Sequence, residues 1–218
     1  MFPELSLALV LSLTIFVLHL VGYTIYAINT LKESIRPNAA SWSMWFFGGL
    51  VEYLTYSAID SESWLSSSLP LACVIGLVMI LAATLYTQWR ASKVSHGEKI
   101  IFHKPKPIDY ILMSFDTSAG LIWLIFSMPA LANIIAVSSS IVTFIPIWRT
   151  TLATGEEKPL PWIFWCLAYF GMTIVVLLEG GDAMAEKLFY PLYYLFLHSV
   201  VLMLCYSSIR RYIQRARK

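Results

Sequence analysis

Charged residues are scarce in this sequence. Only 13% of the 218 residues are Asp, Glu, Lys or Arg, whereas 58% are hydrophobic, and the mean hydropathy is +0.70. A water-soluble domain carries roughly 25% charged residues, because its surface has to face water. The composition therefore excludes an ordinary soluble domain and predicts a membrane protein.

Sequence signatures of catalysis and metal binding are also missing. The three cysteines, Cys73, Cys166 and Cys205, match no metal or redox spacing. No Gly-x-Ser-x-Gly, His-Glu-x-x-His or Walker sequence occurs, and positions 188–209 contain no lysine for a retinal chromophore. The net charge of +2 gives no reason to expect a nucleic-acid partner. We therefore expect no enzyme activity, no metal and no cofactor.

Long apolar runs lie between the clusters of charge. A helix needs roughly 20 apolar residues to cross the hydrocarbon core of a bilayer, and seven segments meet that requirement. They are residues 5–28, 41–59, 69–89, 108–127, 130–149, 161–178 and 188–210. The predicted fold is an all-α membrane protein with seven transmembrane helices.

The basic residues predict how these helices are oriented. If successive loops are assigned alternately to the two sides, fourteen of the fifteen Lys and Arg residues fall on one side, and only Lys187 falls on the other. That other side carries acidic residues such as Asp60 and Glu179. Because basic loops stay in the cytoplasm, we expect the N-terminus outside and the C-terminus inside.

A tryptophan pair occurs twice at matched positions. Residues 41–45 (Ser-Trp-Ser-Met-Trp) open the second segment, and residues 161–165 (Pro-Trp-Ile-Phe-Trp) open the sixth, 120 positions later. Enrichment of Trp at membrane interfaces explains the depth of both pairs but not their identical spacing. We predict two parallel three-helix repeats joined by a linker helix, a 3+1+3 arrangement. The predicted division is 1–90 for the first repeat, 91–128 for a cytoplasmic basic loop with the linker helix, and 129–218 for the second repeat with a basic tail.

Three motifs accompany this architecture. They are Lys-x-x-x-x-Pro-Asn-x-x-Ser-Trp-x-x-Trp at 32–45, Phe-Asp at 115–116 and Tyr-Pro-Leu-Tyr at 190–193. With these features the chain resembles the SWEET and PQ-loop superfamily, which includes sugar transporters, lysosomal amino-acid exporters and the KDEL receptor. It looks most like a group of uncharacterised bacterial membrane proteins. The resemblance implies a multi-pass protein of the bacterial inner (plasma) membrane, and it is compatible with a homo-oligomer.

The chain departs from the superfamily in three respects. No Pro-Gln pair occurs in the sequence. Of the hinge prolines found in SWEET helices, only Pro146 lies well inside a predicted span, with Pro161 at the edge of another. The paired asparagines of SWEET helices 3 and 7 are missing as well. The resemblance therefore does not imply that the solute is a sugar.

Ionisable residues are predicted near the middle of three different spans. Glu52, Asp116 and His198 lie eight to eleven residues from the start of their segments. Each costs at least about 2.5–3.5 kcal/mol there, so each requires a functional or a structural reason. Tyr56 shares the helix face of Glu52, and Asn133 lies on a polar side of the fifth span. We predict that these five residues bind substrate or couple protons; the alternative is that they only hydrogen-bond between helices.

The tryptophans suggest a gate near the cytoplasmic side. Trp45 and Trp165 lie one turn deeper than the first Trp of each pair, so they are candidate gate or stacking residues, with Pro146 as a hinge. The alternative is that the tryptophans are interfacial anchors. Two functions remain open: a transporter of a small polar solute by alternating access, with protons as the candidate coupling ion, or a non-transporting receptor or scaffold. In both cases the bilayer is a partner.

Overall fold

The computed structural model of the chain describes residues 7–35, 37, 39–59, 64–94, 107–154 and 157–216. Every regular element in these ranges is an α-helix. The helices are α1 (Leu7–Leu31), α2 (Ala39–Ile59), α3 (Ser68–Val94), α4 (Pro107–Phe126), α5 (Pro129–Ser139), α6 (Ile141–Thr154), α7 (Pro159–Glu179) and α8 (Met184–Ala216). The all-α prediction is confirmed for the described residues.

Five stretches are long and apolar enough to cross a membrane, if α5 and α6 are taken as one continuous stretch. They are Leu7–Leu31, Ser68–Ala91, Pro129–Arg149, Pro159–Glu179 and Met184–Ser207, and they indicate an integral membrane protein. The other two predicted spans correspond to α2, which is 21 residues long but less apolar, and to α4, whose shorter apolar part is Met113–Phe126.

The fifth predicted span, 130–149, is not one uninterrupted helix. A turn at Ser140 divides it, and the Ser140 amide donates to the Val137 carbonyl at 3.2 Å, a tightened bond to the third residue before it. Ser139 donates its hydroxyl to the Ala136 carbonyl at 2.7 Å. Hydroxyls that bond the local backbone compete with regular helical bonding, which explains the interruption within a run of serines.

The helices form two groups, and in each group the last helix packs against all the others. The groups are α1 to α3 and α5 to α8. α3 packs against both α1 and α2, and α8 packs against α7 and against α5 and α6. Between the two groups, α1 contacts α7 and α2 contacts α5. α4 packs against α2, α5 and α6. This packing leaves a cavity in the interior, to which every helix contributes a side chain.

Both tryptophan pairs face the protein interior more than an interfacial anchor would. Trp162 and Trp165 are only 2% and 3% exposed, and Trp42 is 7% exposed. The ring centroids are 4.9 Å apart in the Trp42–Trp45 pair and also 4.9 Å apart in the Trp162–Trp165 pair. Packing between helices, not contact with lipid headgroups, accounts for three of these four rings.

A glycine allows α1 and α3 to approach closely. A β-carbon at Gly76 would overlap the ring of Tyr23 on α1. We expect Gly76→Ala to lower the free energy of unfolding by about 1–3 kcal/mol, because a rigid ring has to move. Unfolding of the detergent-purified protein measures this.

The control for that substitution is Gly120→Ala on α4, where an added β-carbon meets nothing within 4 Å. It is expected to be neutral or to stabilise by up to about 1 kcal/mol, because alanine is the better helix former. Equal effects of the two substitutions would contradict the close packing of Gly76 on Tyr23.

Candidate functional site

The interior cavity has a volume of about 60 Å³. A single water needs about 10–15 Å³ by the same measure, so the cavity has room for roughly four or five waters or a small ligand. Its wall combines two acids, several hydroxyls, five aromatic rings and one histidine. The lining residues are Tyr23, Met44, Trp45, Gly48, Gly49, Glu52, Cys73, Leu77, Asp116, Ser139, Ser140, Thr143, Phe144, Tyr169, Tyr194 and His198.

Glu52 lies at the centre of this site. It is 5% exposed, and its Oε1 accepts hydrogen bonds from Tyr194 Oη at 2.6 Å and Ser140 Oγ at 3.1 Å. The hydroxyls of Ser140 and Tyr194 are also within hydrogen-bonding distance of each other. Each hydroxyl has one hydrogen to donate, so the three contacts share two hydrogens when Glu52 is ionised and three when it is protonated. Glu52 is thus held in a network that has more than one arrangement of hydrogens.

Asp116 reaches the same cavity from α4. It is 6% exposed, and its Oδ1 lies 3.2 Å from Ser139 Oγ, whose single hydrogen is shared between this oxygen and the Ala136 carbonyl. Its carboxylate packs against Gly48, where an added β-carbon would lie 2.5 Å from Oδ2. Gly48 is one helical turn from Glu52 on α2, which is about 6 Å along the axis. The sequence predicted Glu52 and Asp116 at a common depth, and the structure brings both to one cavity.

Among the described residues, the two carboxylates share the cavity with one basic side chain, that of His198. No Lys or Arg lines it in the part of the chain that the structure describes. A charged group removed from water without a counter-ion is costly. A proton or a bound cation would neutralise these acids, so the arrangement is suited to exchanging one for the other.

His198 also lines the cavity, one turn from Tyr194 on α8. Its Nδ1 lies 2.8 Å from the Tyr194 carbonyl oxygen. Because a carbonyl only accepts, we assign the hydrogen of the neutral ring to Nδ1, which leaves Nε2 as an acceptor. The imidazole packs among rings, with centroids 4.9 Å from Tyr169 and 5.1 Å from Phe144.

Asn133, predicted to bind substrate, does not line the cavity. It is fully buried on α5, and its Nδ2 donates to the Glu52 carbonyl and to Thr55 Oγ1, both at 3.1 Å. These bonds join α5 to α2 behind the Glu52 side chain. The position of Asn133 is that of a residue that fixes α2 in place.

Tyr56 also lies outside the cavity wall. Its Oη donates to the Lys187 carbonyl at 3.2 Å, and its ring centroid is 5.1 Å from that of Tyr190. Tyr56 and Tyr190 are 1% and 0% exposed. They fill the space between the cavity and the end of the bundle where α2 ends, which we call the acidic end because Glu179 and Asp182 lie there. The end where α2 begins is called the basic end.

The three predicted gate residues have different positions. Trp45 lines the cavity and stacks on Phe144, with centroids 5.8 Å apart. Trp165 lies behind the wall, 4.9 Å from the ring of Tyr23. Pro146 is within α6, but its side chain falls outside the described part of the chain.

Several lining residues were not predicted. Tyr194 and Ser140 lie on polar helix faces that the sequence does indicate, so a search of those faces finds them. Tyr23, Phe144 and Tyr169 carry no such signal in a chain with 15% aromatic residues. Cys73, whose spacing from the other cysteines indicates no function, lies in the wall with its Sγ 3.1 Å from Tyr23 Oη.

The part of the chain that the structure describes holds no group of three or more His, Cys, Asp or Glu residues able to bind a metal ion. Comparisons with protein-family models, curated proteins and solved structures give no match. The geometry of the cavity is therefore the basis for assigning a function.

Proposed function

We propose that this chain is a seven-helix transporter that moves a small polar solute by alternating access and couples that movement to protons. The observation that carries the proposal is the central cavity lined by Glu52 and Asp116, with no Lys or Arg among the described lining residues. A pair of buried acids between the helices of an apolar bundle serves a polar solute better than it serves stability.

The lengths of α2 and α4 support seven spans. At 1.5 Å per residue, their 21 and 20 residues extend about 30 Å, the thickness of the hydrocarbon core. Each carries an acid that faces the cavity, Glu52 on α2 and Asp116 on α4. Polar groups that face inward lower the mean hydropathy of a helix without exposing charge to lipid. With the basic loops in the cytoplasm, the N-terminus lies outside.

The helix contacts support two parallel repeats. In one unit α3 packs against α1 and α2, and in the other α8 packs against α7 and the α5–α6 stretch. Interchanging the units puts the α5–α6 stretch in the place of α1, and α7 in the place of α2. The contact of α1 with α7 then coincides with the contact of the α5–α6 stretch with α2. Two such units can rock about a site between them.

The surroundings of the cavity support a state that is closed toward the acidic end. There Tyr56, Tyr190 and Lys187 are at most 2% exposed. Toward the basic end, the lining residues Met44, Trp45 and Thr143 are only half-buried. Alternating access requires a second state in which the barrier at Tyr56 opens and the basic end closes.

The first test is a thermal-shift screen of the purified protein against sugars, amino acids, vitamins and polyamines at pH 5.5 and 7.5. A ligand that binds the folded state raises its apparent stability. We expect at least one hit, and we expect liposomes that contain the protein to accumulate that ligand when a pH gradient is imposed. Binding without flux would identify a receptor or scaffold, and the absence of any hit would contradict a solute site.

A further inference from the structure

The charges in the cavity select the sign of its ligand. Two carboxyl groups line it, and no Lys or Arg does so among the described residues. An anion would add like charge to a site of low polarity, and a neutral solute would leave protons as the only means of neutralising both acids. A cation balances their charge directly.

The rings in the wall distinguish an organic cation from a metal ion. Five aromatic residues line the cavity: Tyr23, Trp45, Phe144, Tyr169 and Tyr194. The faces of aromatic rings attract ammonium groups, whereas a hydrated inorganic ion requires oxygen ligands in place of its water.

The size of the cavity limits the ligand to a small head group. A volume of about 60 Å³ accommodates roughly four or five waters. Glu52 Oε1 already accepts hydrogen bonds from Tyr194 and Ser140. The two carboxylates therefore offer a ligand their negative charge but few free hydrogen-bond acceptors. This favours an ammonium group carrying carbon substituents over a strongly hydrated ion.

We propose that the site binds a small organic cation, with its ammonium group beside Glu52 and Asp116 and its carbon substituents against the aromatic rings. This inference rests on the proposed transport function, because it names the class of solute for the same cavity.

Choline and 3,3-dimethylbutan-1-ol test the inference, because they have the same shape and differ in charge. We expect calorimetric titration of the full chain in lipid nanodiscs to show choline binding at least about tenfold more tightly than the neutral alcohol. Equal affinities, or binding of neither, would overturn the inference. Sodium and potassium chloride at matched ionic strength are the inorganic arm, and tighter binding of either ion than of choline would also overturn it.

Variants test which carboxyl groups and which aromatic rings contribute to choline binding. Glu52→Gln and Asp116→Asn are each expected to weaken choline binding about tenfold, whereas Asp182→Asn, which removes one exposed acid outside the cavity, is expected to leave it unchanged. Phe144→Leu removes a ring from the wall and is expected to weaken binding about fivefold. Its control is Phe170→Leu, at a residue that is 56% exposed. If a variant fails to fold, the comparison of the two ligands on the native chain still decides.

The inference and the proposed function fail in different ways. Choline binding without flux in liposomes would keep the inference and overturn transport. A neutral polar solute that is transported, and whose binding is lost in Glu52→Gln, would keep transport and overturn the organic cation.

Discussion

Replacement of Glu52 by glutamine is expected to reduce solute accumulation driven by a pH gradient by at least about tenfold, toward the level of protein-free liposomes. Glutamine cannot exchange a proton and cannot balance a cation, so the buried group no longer couples one to the other. The amide retains an oxygen in the place of Oε1, where Tyr194 donates at 2.6 Å and Ser140 at 3.1 Å. Initial rates and final accumulation in liposomes measure the effect.

Two controls separate a loss of coupling from a loss of the fold. Because the hydrogen bonds of Tyr194 and Ser140 can persist, the free energy of unfolding of Glu52→Gln is expected to change by less than about 1 kcal/mol. Asp182→Asn removes one carboxylate from an exposed position and is expected to accumulate solute as the native chain does. Normal accumulation by Glu52→Gln would mean that this residue is structural and that the coupling group lies elsewhere.

The helices are largely predictable because hydrophobicity is a local property. The sixth predicted span, 161–178, is found as α7 at Pro159–Glu179, and the third, 69–89, as α3 at Ser68–Val94. The turn at Ser140 is not predicted in this way. It depends on where the hydroxyls of Ser139 and Ser140 bond, and those partners include residues on α4 and α2 that are distant in sequence.

The sequence predicts those site residues whose burial in a membrane span costs free energy. Glu52, Asp116 and His198 are conspicuous because ionisable groups are unfavourable in the middle of an apolar span. The same argument does not distinguish a polar residue in the cavity wall from one behind it, and Asn133 and Tyr56 are both behind it. Aromatic rings such as Tyr169 incur no such cost, so only the pairing of helices reveals that they face the cavity.

Replacement of Tyr56 by alanine is expected to open the cavity toward the acidic end. The ring of Tyr56 lies against Tyr190, and its hydroxyl bonds the Lys187 carbonyl. Tyr56 therefore connects α2 to α8 between Glu52 and the acidic end. Removal of a buried aromatic ring leaves a void, and typically costs about 3–5 kcal/mol of stability. A void beside polar groups admits water, so the barrier is expected to leak.

Cys73 is a native probe of this barrier, because it lines the cavity and is one of only three cysteines in the chain. In a background of Cys166→Ser and Cys205→Ala, we expect Tyr56→Ala to raise the rate at which a membrane-impermeant thiol reagent labels Cys73 from the acidic side by about tenfold or more. Labelling of right-side-out and inverted vesicles distinguishes the two sides.

Tyr53→Ala is the matched control, because Tyr53 is a half-buried tyrosine on the same helix that lines no part of the cavity. Tyr56→Phe keeps the ring and removes the hydroxyl that bonds the Lys187 carbonyl. It is expected to raise the labelling rate less than Tyr56→Ala does, and this comparison stands even if the alanine variant folds poorly. If Cys73 reacts from the acidic side at the same rate in the native, Tyr53→Ala and Tyr56→Ala chains, Tyr56 does not close the site. A transporter of this architecture would then need another barrier, and alternating access about Glu52 would lose its main structural support.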